Sequence, residues 1–565
     1  MASGGIRVER RDSVLVLMLD HGTSNALDPK LRTALLSAVE SPGPECRAIV
    51  LAATGANFSS ALALDPDTAA PGLAALCAVM AQSPLPVVAA LHGLVMGPGA
   101  ELALAASARI AAPGCRIALP EIALGLCPEG GSTRRLPALI GAAAALRLLL
   151  TGRAIAVDEA LAMGLVGNLA KGPLLDAAIA LALSLAKTPK PLLVCETAAA
   201  HQAAVAAARR AHPKALPAVS RIIDCVEAAL LLPPDAAQAF ETVAREDLEQ
   251  TPEAAALRAA TKAERRAAAL PPAVARSRPL PLDRLGLAGS DPALETLARA
   301  AMAQGVAVIW LRQSAGPPVM AEPTRLLHWT TDPADLVGVP LQVHEVIPDA
   351  ALLRQLPQGA AVVVLGGAEG EMGLSVAPSA RATELSVLAE EAAHTIATAV
   401  AGLRRIGMPP LLVGQRPVLG QRVVTAGDLA LVQLARSGVP QHQLAEATAA
   451  FGARLSESPA DPATPPRRMT ATDIRNRWLA AMANEGLRAL DQGIARRPSD
   501  VDHALVVGHG FSRWRGGPMH QAGLRGLMVL RHDLRQWAGE APIWEPAPLL
   551  DRLIQDGLRL SALDG

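Results

Sequence analysis

The stretch "LPVVAALHGLVMGPGAELALA", residues 85–105, decides how the first half of the chain is read. "LPVVAALHG" (85–93) is an apolar run of strand length, "GPG" (97–99) is a turn, and a helix is predicted from about 99 to 109. Pro98 suits the first helical position, because the N–H that proline lacks has no intrahelical partner there. The same orphan N–H groups let a helix start bind developing negative charge. Pro98 thus removes a donor three residues before an acid, Glu101.

Outward from this stretch, "VLVLML" (14–19) and "RAIVLAA" (47–53) read as strands flanking a helix at 28–40. Asp28 is placed to cap that helix, and Pro29 suits its first turn. Strands alternating with helices predict an α/β first domain. From 143 to 266 the text is Ala- and Leu-rich with helical periodicity, and "LPPAVARSRPLPLD" (270–283) reads as a proline-punctuated linker. Residues 285–312 read as strand, turn, helix and strand, the opening of a dinucleotide-fold unit. "SESPADPATPPRR" (456–468) is a second break, and the remainder is mostly helical, with a loop "GHGFSRWRGGP" at 508–518. No internal repeat of fixed period is present.

At 565 residues the chain exceeds the size of one core, so about two to four domains are expected. Hydrophobic residues make up 51% and charged ones 18%, which suits a packed protein rather than a disordered one. The 52 basic and 52 acidic residues balance without a polybasic tract, and there is no Tyr and only 4 Phe, which argues against nucleic-acid binding. The six cysteines lie in the first half without a CxxC pair and read as buried free thiols. No signal peptide is read at the N-terminus, and Arg147 interrupts the best candidate span, "LIGAAAALRLLLTG" (139–152). A reduced, cytoplasmic setting without a membrane span is the expectation. His503, His509 and His520 lack metal-ligand spacing, so no metal is expected.

"SNAL" (24–27), "LPVVAALHG…GPGAELALA", "LPEIALGLCPEGGSTRRL" (119–136) and "LLTGRAIAVDEALAMGLV" (149–166) together resemble the crotonase, or enoyl-CoA hydratase/isomerase, family. The resemblance covers about residues 7–185 and implies a spiral of ββα units that binds an acyl-CoA thioester. "TATDIRNRWLAAMANEGLRALDQGIARRPSDVDHALVVGHGFSRWRGGPM" (470–519) resembles the last helical domain of the 3-hydroxyacyl-CoA dehydrogenase family. The whole chain therefore resembles the bifunctional hydratase–dehydrogenases of fatty-acid β-oxidation. The expected α/β architecture is a crotonase-like domain (1–185) and a helical extension with a linker helix (186–275). A degenerate Rossmann-like domain (276–415) and an all-α dehydrogenase-type region (416–565) follow.

By this resemblance Glu101 and Glu121 fall where hydratases hold the two acids that position and activate water. Paired carboxylates divide acid and base work when their environments push their pKa values apart. The two backbone N–H groups of the oxyanion hole map onto Ser60 and Pro98. Ala61 and Ala63 stand where the family commonly has Gly and Asp. With Pro98 the hole is defective, and loss of one donor costs about 10²–10³ in rate. A one-residue shift would put Gly97 or Gly99 in the role instead. Glu129, where the family has a close-approach Gly, adds a charge beside Glu121 and is expected to raise its pKa. His92 reads as a satisfied strand-end residue.

In the dinucleotide-fold unit, Gly289 is followed by Asp291 and Leu294 where the second and third glycines of the fingerprint belong. An acid beside two phosphates repels them and Cβ atoms block their approach, so NAD binding is expected to be poor or nil and no cofactor is assigned. Arg312 stands where an acid would grip the ribose. No histidine occurs between His344 and His394, where the dehydrogenase family has its base. Ser375 takes that place, the orienting Glu falls on Val387 or, with a short gap, on Glu384, and Gln421 replaces a common Asn. Serine is no general base at neutral pH without a base of its own. "RWRGG" (513–517) reads as a structural loop.

Two readings follow. In the first, the N-terminal half hydrates a trans-2-enoyl-CoA through Glu101 and Glu121, weakly because of Pro98, with isomerase chemistry a near variant and the dehydrogenase half inactive. In the second, the chain is a pseudoenzyme that holds acyl-CoA or docks a partner, such as another enzyme of β-oxidation, without turnover.

Overall fold

The computed structural model describes the chain apart from residues 1, 4, 63, 66–68, 188–195, 214, 313–324, 368–370, 378, 380, 381, 388–390, 417 and 453–466. Ala63 and Cys195, and nearly all of the proline-rich break at 456–468, lie outside the described residues. By contact the chain divides into two units, Met1–Arg258 and Ala259–Gly565.

The first unit begins with a hairpin, Ile6–Arg11 against Val14–Leu19. Parallel strands Ala48–Ala53, Val87–Leu91, Ala108–Ala111 and Asn168–Leu169 then extend the sheet. Val87–Leu91 is buried at every position, as expected of a parallel strand covered on both faces. One face packs on the helix Leu174–Leu185 through Val14, Val16, Val50 and Val88. The other carries the main core, with Leu31, Leu35, Leu76 and Leu102. A small second sheet joins Leu94–Met96 to Arg116–Ala118 in parallel, with Ile155–Ala156 antiparallel. The chain thus steps from the large sheet to the small one and then into a helix, giving the ββα spiral. Asp28 caps the helix Pro29–Glu40 by accepting the Leu31 N–H at 2.8 Å.

The first unit departs from expectation at two places. The helix after the GPG turn spans Pro98–Ala105, and residues 108–111 are a strand. The stop is fixed by the buried Arg109 guanidinium, which donates to the Ala106 carbonyl at 3.0 Å and the Leu165 carbonyl at 2.7 Å. The helical extension does not stand apart from the crotonase-like domain: Val205, Ile222, Ala244 and Ala254 belong to the first unit's core.

Among the described residues, the second unit holds an eight-stranded sheet in the order Leu327–Thr330, Ala307–Leu311, Arg284–Ala288, Leu341–His344, Ala361–Leu365, Gly373–Val376, Thr383–Ser386, Pro410–Val413. All neighbours are parallel except Gly373–Val376 and Thr383–Ser386. The strand order reverses beside Arg284–Ala288, the place where folds of this kind open a ligand crevice. Residues 270–283 are not a bare linker, since they contain the helix Pro272–Arg276, whose Val274 is in this sheet's core. Beyond the sheet, the helix Ala471–Asp491 is the axis of an all-helical region with its own core. Among the described residues, no helix is long and apolar enough to cross a membrane.

Candidate active site

Glu101 lies in the first turn of the helix Pro98–Ala105 and Glu121 opens a short 3₁₀ turn, Glu121–Leu124; they are 1% and 3% exposed. The Glu101 carboxylate accepts the Gly130 N–H at 2.8 Å, the Ser132 hydroxyl at 2.9 Å and the Glu129 N–H at 3.3 Å. Glu121 is different. Both of its oxygens are enclosed, and among the described residues neither meets a hydrogen-bond partner on another residue. Burial pushes the Glu121 carboxyl up to about 7, and the Glu129 and Glu241 carboxylates add to the shift. Burial also raises Glu101 well above the ordinary range, with the Glu121 charge the next cause.

The GPG turn brings the backbone against Glu121. Gly97 has φ +54°, and a Cβ there would lie 3.0 Å from Glu121 Oε1 and 3.1 Å from Leu62 Cδ1, so glycine is required. The Gly97 N–H is given to the Ala118 carbonyl at 3.0 Å, Pro98 has none, and the Gly99 N–H finds no acceptor among the described residues. The facing segment is pinned by the SNAL motif. Buried Asn25 donates to the Thr54 and Asn57 carbonyls at 3.1 and 3.2 Å, and its own carbonyl accepts the Ser59 hydroxyl at 2.9 Å. Ser60, the residue expected to supply one oxyanion N–H, has that N–H bonded to the Ser24 carbonyl at 2.9 Å. The next residue, Ala61, has an N–H with no acceptor among the described residues.

Sequence reasoning missed a third acid. Glu241, on the helix Pro234–Glu249, is fully buried and accepts the Gly131 N–H at 2.6 Å, the Thr133 N–H at 2.9 Å and the Thr133 hydroxyl. Glu101 and Glu241 together hold the segment 129–133 at the start of the helix Ser132–Ile140, where orphan amides favour carboxylates. Gln238 on the same helix adds a bond to the Glu129 carbonyl at 3.0 Å. The available signal was one of five acids on the helix Pro234–Glu249, a charge pattern that looks like solvated surface. His92 is bonded through Nε2 to the Gly55 carbonyl at 3.1 Å.

In the second unit, the turn after Arg284–Ala288 is filled by the chain itself. Gly289 has φ +127°, and a Cβ there would lie 2.4 Å from Glu345 Oε2. The Ser290 N–H is given to that same oxygen at 2.6 Å. Asp291 caps the helix Pro292–Ala303 by accepting the Ala293 N–H at 2.7 Å, and Leu294 is fully buried in the core. Two carboxylates thus take up the amides of this turn and of the helix start that follows it, donors that an anionic group would need, and the residues present do not fit such a group. Arg312 lies over the Trp310 ring, 5.5 Å from its centroid.

Ser375 is paired with Glu384 across the antiparallel ladder. The Glu384 carboxylate accepts the Leu419 and Gly420 N–H groups, both at 2.7 Å, and so caps the helix Leu419–Arg436. Gln421 is exposed and donates to the Thr425 hydroxyl at 3.3 Å. In the 508–518 loop, Arg513 is bonded to Glu264, with two contacts of 3.0 Å.

The enoyl-CoA hydratase/isomerase family matches residues 9–222. The peroxisomal bifunctional enzyme of Danio rerio is 25% identical over 695 aligned positions, covering 96% of each chain. The fatty acid oxidation complex subunit alpha of Shewanella amazonensis is 49% identical over 111 residues, 19% of this chain and 16% of that protein. Among solved structures, an enoyl-CoA hydratase from Mycobacterium avium subsp. paratuberculosis is 23% identical with a TM-score of 0.36, covering 46% of this chain and 97% of that one. Residues 9–222 are therefore an enoyl-CoA hydratase/isomerase domain, in a chain with the crotonase-plus-dehydrogenase architecture read from its motifs.

Proposed function

We propose that the first unit binds an enoyl-CoA thioester of the kind met in fatty-acid β-oxidation and hydrates it slowly, with Glu121 exchanging the proton. The observation that carries this reading is the enclosed Glu121 carboxyl, which meets no hydrogen-bond partner on another described residue and which burial pushes up to about 7. A carboxyl near the working pH both gives and takes a proton efficiently. Glu101, held by its three donors, fixes the attacking water and takes its proton as the water oxygen bonds to the β-carbon, while the protonated Glu121 delivers its own proton to the α-carbon; solvent exchange then returns both acids to their starting states. Turnover is slow because neither of the two mapped oxyanion positions presents an N–H: Ser60 donates to Ser24 and Pro98 has none. The test is hydration of crotonyl-CoA by the parent protein and by Glu121→Gln.

In this reading the second unit carries out no NAD-dependent oxidation. Support comes from Glu345 and Asp291 in the phosphate position, and from Ser375 where a base is needed. A hydroxyacyl product then passes to a separate dehydrogenase, the class of partner enzyme this reading calls for. The second reading, acyl-CoA binding without turnover, is favoured by the Ser60 and Pro98 observations alone. It differs from the first in predicting no hydration at any enzyme concentration.

A further inference from the structure

Away from these sites, the second unit contains a cavity of about 780 Å³. Its buried walls are formed by Met519, Leu553 and Leu560, and Leu524 and Met528 stand exposed at its mouth. Its size and apolar lining are those of a small-molecule site. Among the described residues, two polar atoms that line the cavity beside the leucines and methionines lack partners. Ser499 is 6% exposed and its hydroxyl has no hydrogen bond, and the enclosed Nε2 of His520 has none. Buried polar groups are nearly always paired, so two orphans lining one cavity call for a ligand that supplies the bonds.

The acids nearby are already engaged. Asp502 accepts the Met519 and His520 N–H groups at 2.7 and 2.9 Å. Asp564 accepts the Ser499 N–H at 3.0 Å and pairs with Arg266 at 3.2 Å. Lys262 and Arg266 also line the cavity, which suits an oxygen-bearing head group and disfavours an amine. Burial holds the His520 imidazole below its ordinary pKa, hence neutral at pH 7. We propose that this cavity binds a single acyl chain by its carbonyl end, as a fatty acid or a fatty-acyl ester, with Ser499 and His520 holding the head group. The proposal is independent of the chemistry assigned to the first unit.

The test is titration of the full-length protein with the fluorescent fatty acid cis-parinaric acid, followed by displacement with saturated acids and their methyl esters. Gly523 lines the cavity within the helix Pro518–Arg525, and a Cβ there meets nothing within 4 Å, so Gly523→Leu fills the space without straining the backbone. Saturable binding is expected, weakened at least about tenfold in Gly523→Leu and about fivefold in Ser499→Ala, with the melting temperature unchanged or raised. Competitors should tighten about tenfold per two added methylenes until the cavity is full. Displacement by the acid alone assigns a carboxylate head, and displacement by the ester as well assigns an uncharged carbonyl. Absence of saturable binding, displacement by neither, or equal binding by the parent and Gly523→Leu overturns the proposal.

Discussion

Ser60 donates its backbone N–H to the Ser24 carbonyl at 2.9 Å, so the segment facing the GPG turn spends on its own fold the hydrogen that a thioester oxygen would need. Across from it Pro98 has no hydrogen to give. On the proposed reading, the pair leaves Glu101 and Glu121 beside an oxyanion hole with neither mapped donor.

Restoring one donor should restore rate. Pro98→Gly is expected to raise crotonyl-CoA hydration by at least about tenfold, approaching the 10²–10³ that one oxyanion N–H is worth. Steady-state kinetics would register the gain in kcat more than in KM, because the bond strengthens in the transition state. An unchanged kcat would place the donors elsewhere, with Ala61 and Gly99 the nearest amides.

The raised pKa of Glu121 makes stability depend on pH. Its folded value, about 7, exceeds the ordinary 4.5, so the folded state binds the proton more tightly. The first unit therefore loses stability as pH rises from 4.5 to about 7, and the loss is constant above. Glu121→Gln removes this loss. Urea unfolding should show the variant equal to the parent near pH 4.5 and more stable by roughly 3 kcal/mol at pH 8. A stability difference independent of pH would show that Glu121 titrates normally.

Glu241 is expected to act through position rather than contact with substrate. Glu241→Ala leaves the Gly131 and Thr133 donors without an acceptor and should cost about 2–4 kcal/mol. Glu241→Gln retains one acceptor oxygen and removes a charge that raises Glu101 and Glu121. Both limbs of its pH–rate profile, the acid one set by Glu101 as base and the alkaline one by Glu121 as acid, should therefore move to lower pH at modest loss of kcat. A profile that stays in place would reduce Glu241 to a purely structural role.

With Glu345 on the Ser290 amide, NADH at concentrations up to about 100 μM should bring no fluorescence change. A micromolar Kd would contradict the assignment of this turn to an internal bond.

The strand–turn–helix of residues 85–105, the Asp28 cap and the strand–helix–strand unit at 284–311 were legible because each is written in local pattern: apolar runs, cap residues and turn glycines. Glu101 and Glu121 were legible through their neighbours' resemblance to a family, since two acids 20 residues apart carry little signal alone. What was illegible arrives from a distance. Glu241 reaches the site from a helix 140 residues beyond Glu101, Glu345 reaches Ser290 from 55 residues on, and the Ser60 amide is consumed by a carbonyl 36 residues earlier. Each is set by packing, which periodicity does not encode. The helix end at Ala105 was overrun for the same reason, because its stop depends on Arg109 reaching the Leu165 carbonyl.

The account stands or falls on Glu121 as the group that carries the proton. Crotonyl-CoA hydration, followed at high enzyme concentration for the parent and for Glu121→Gln, measures this directly. Slow hydration by the parent, abolished in the variant while crotonyl-CoA binding by calorimetry is kept, is the predicted result. Equal rates in the two proteins, or no hydration by the parent, would contradict it.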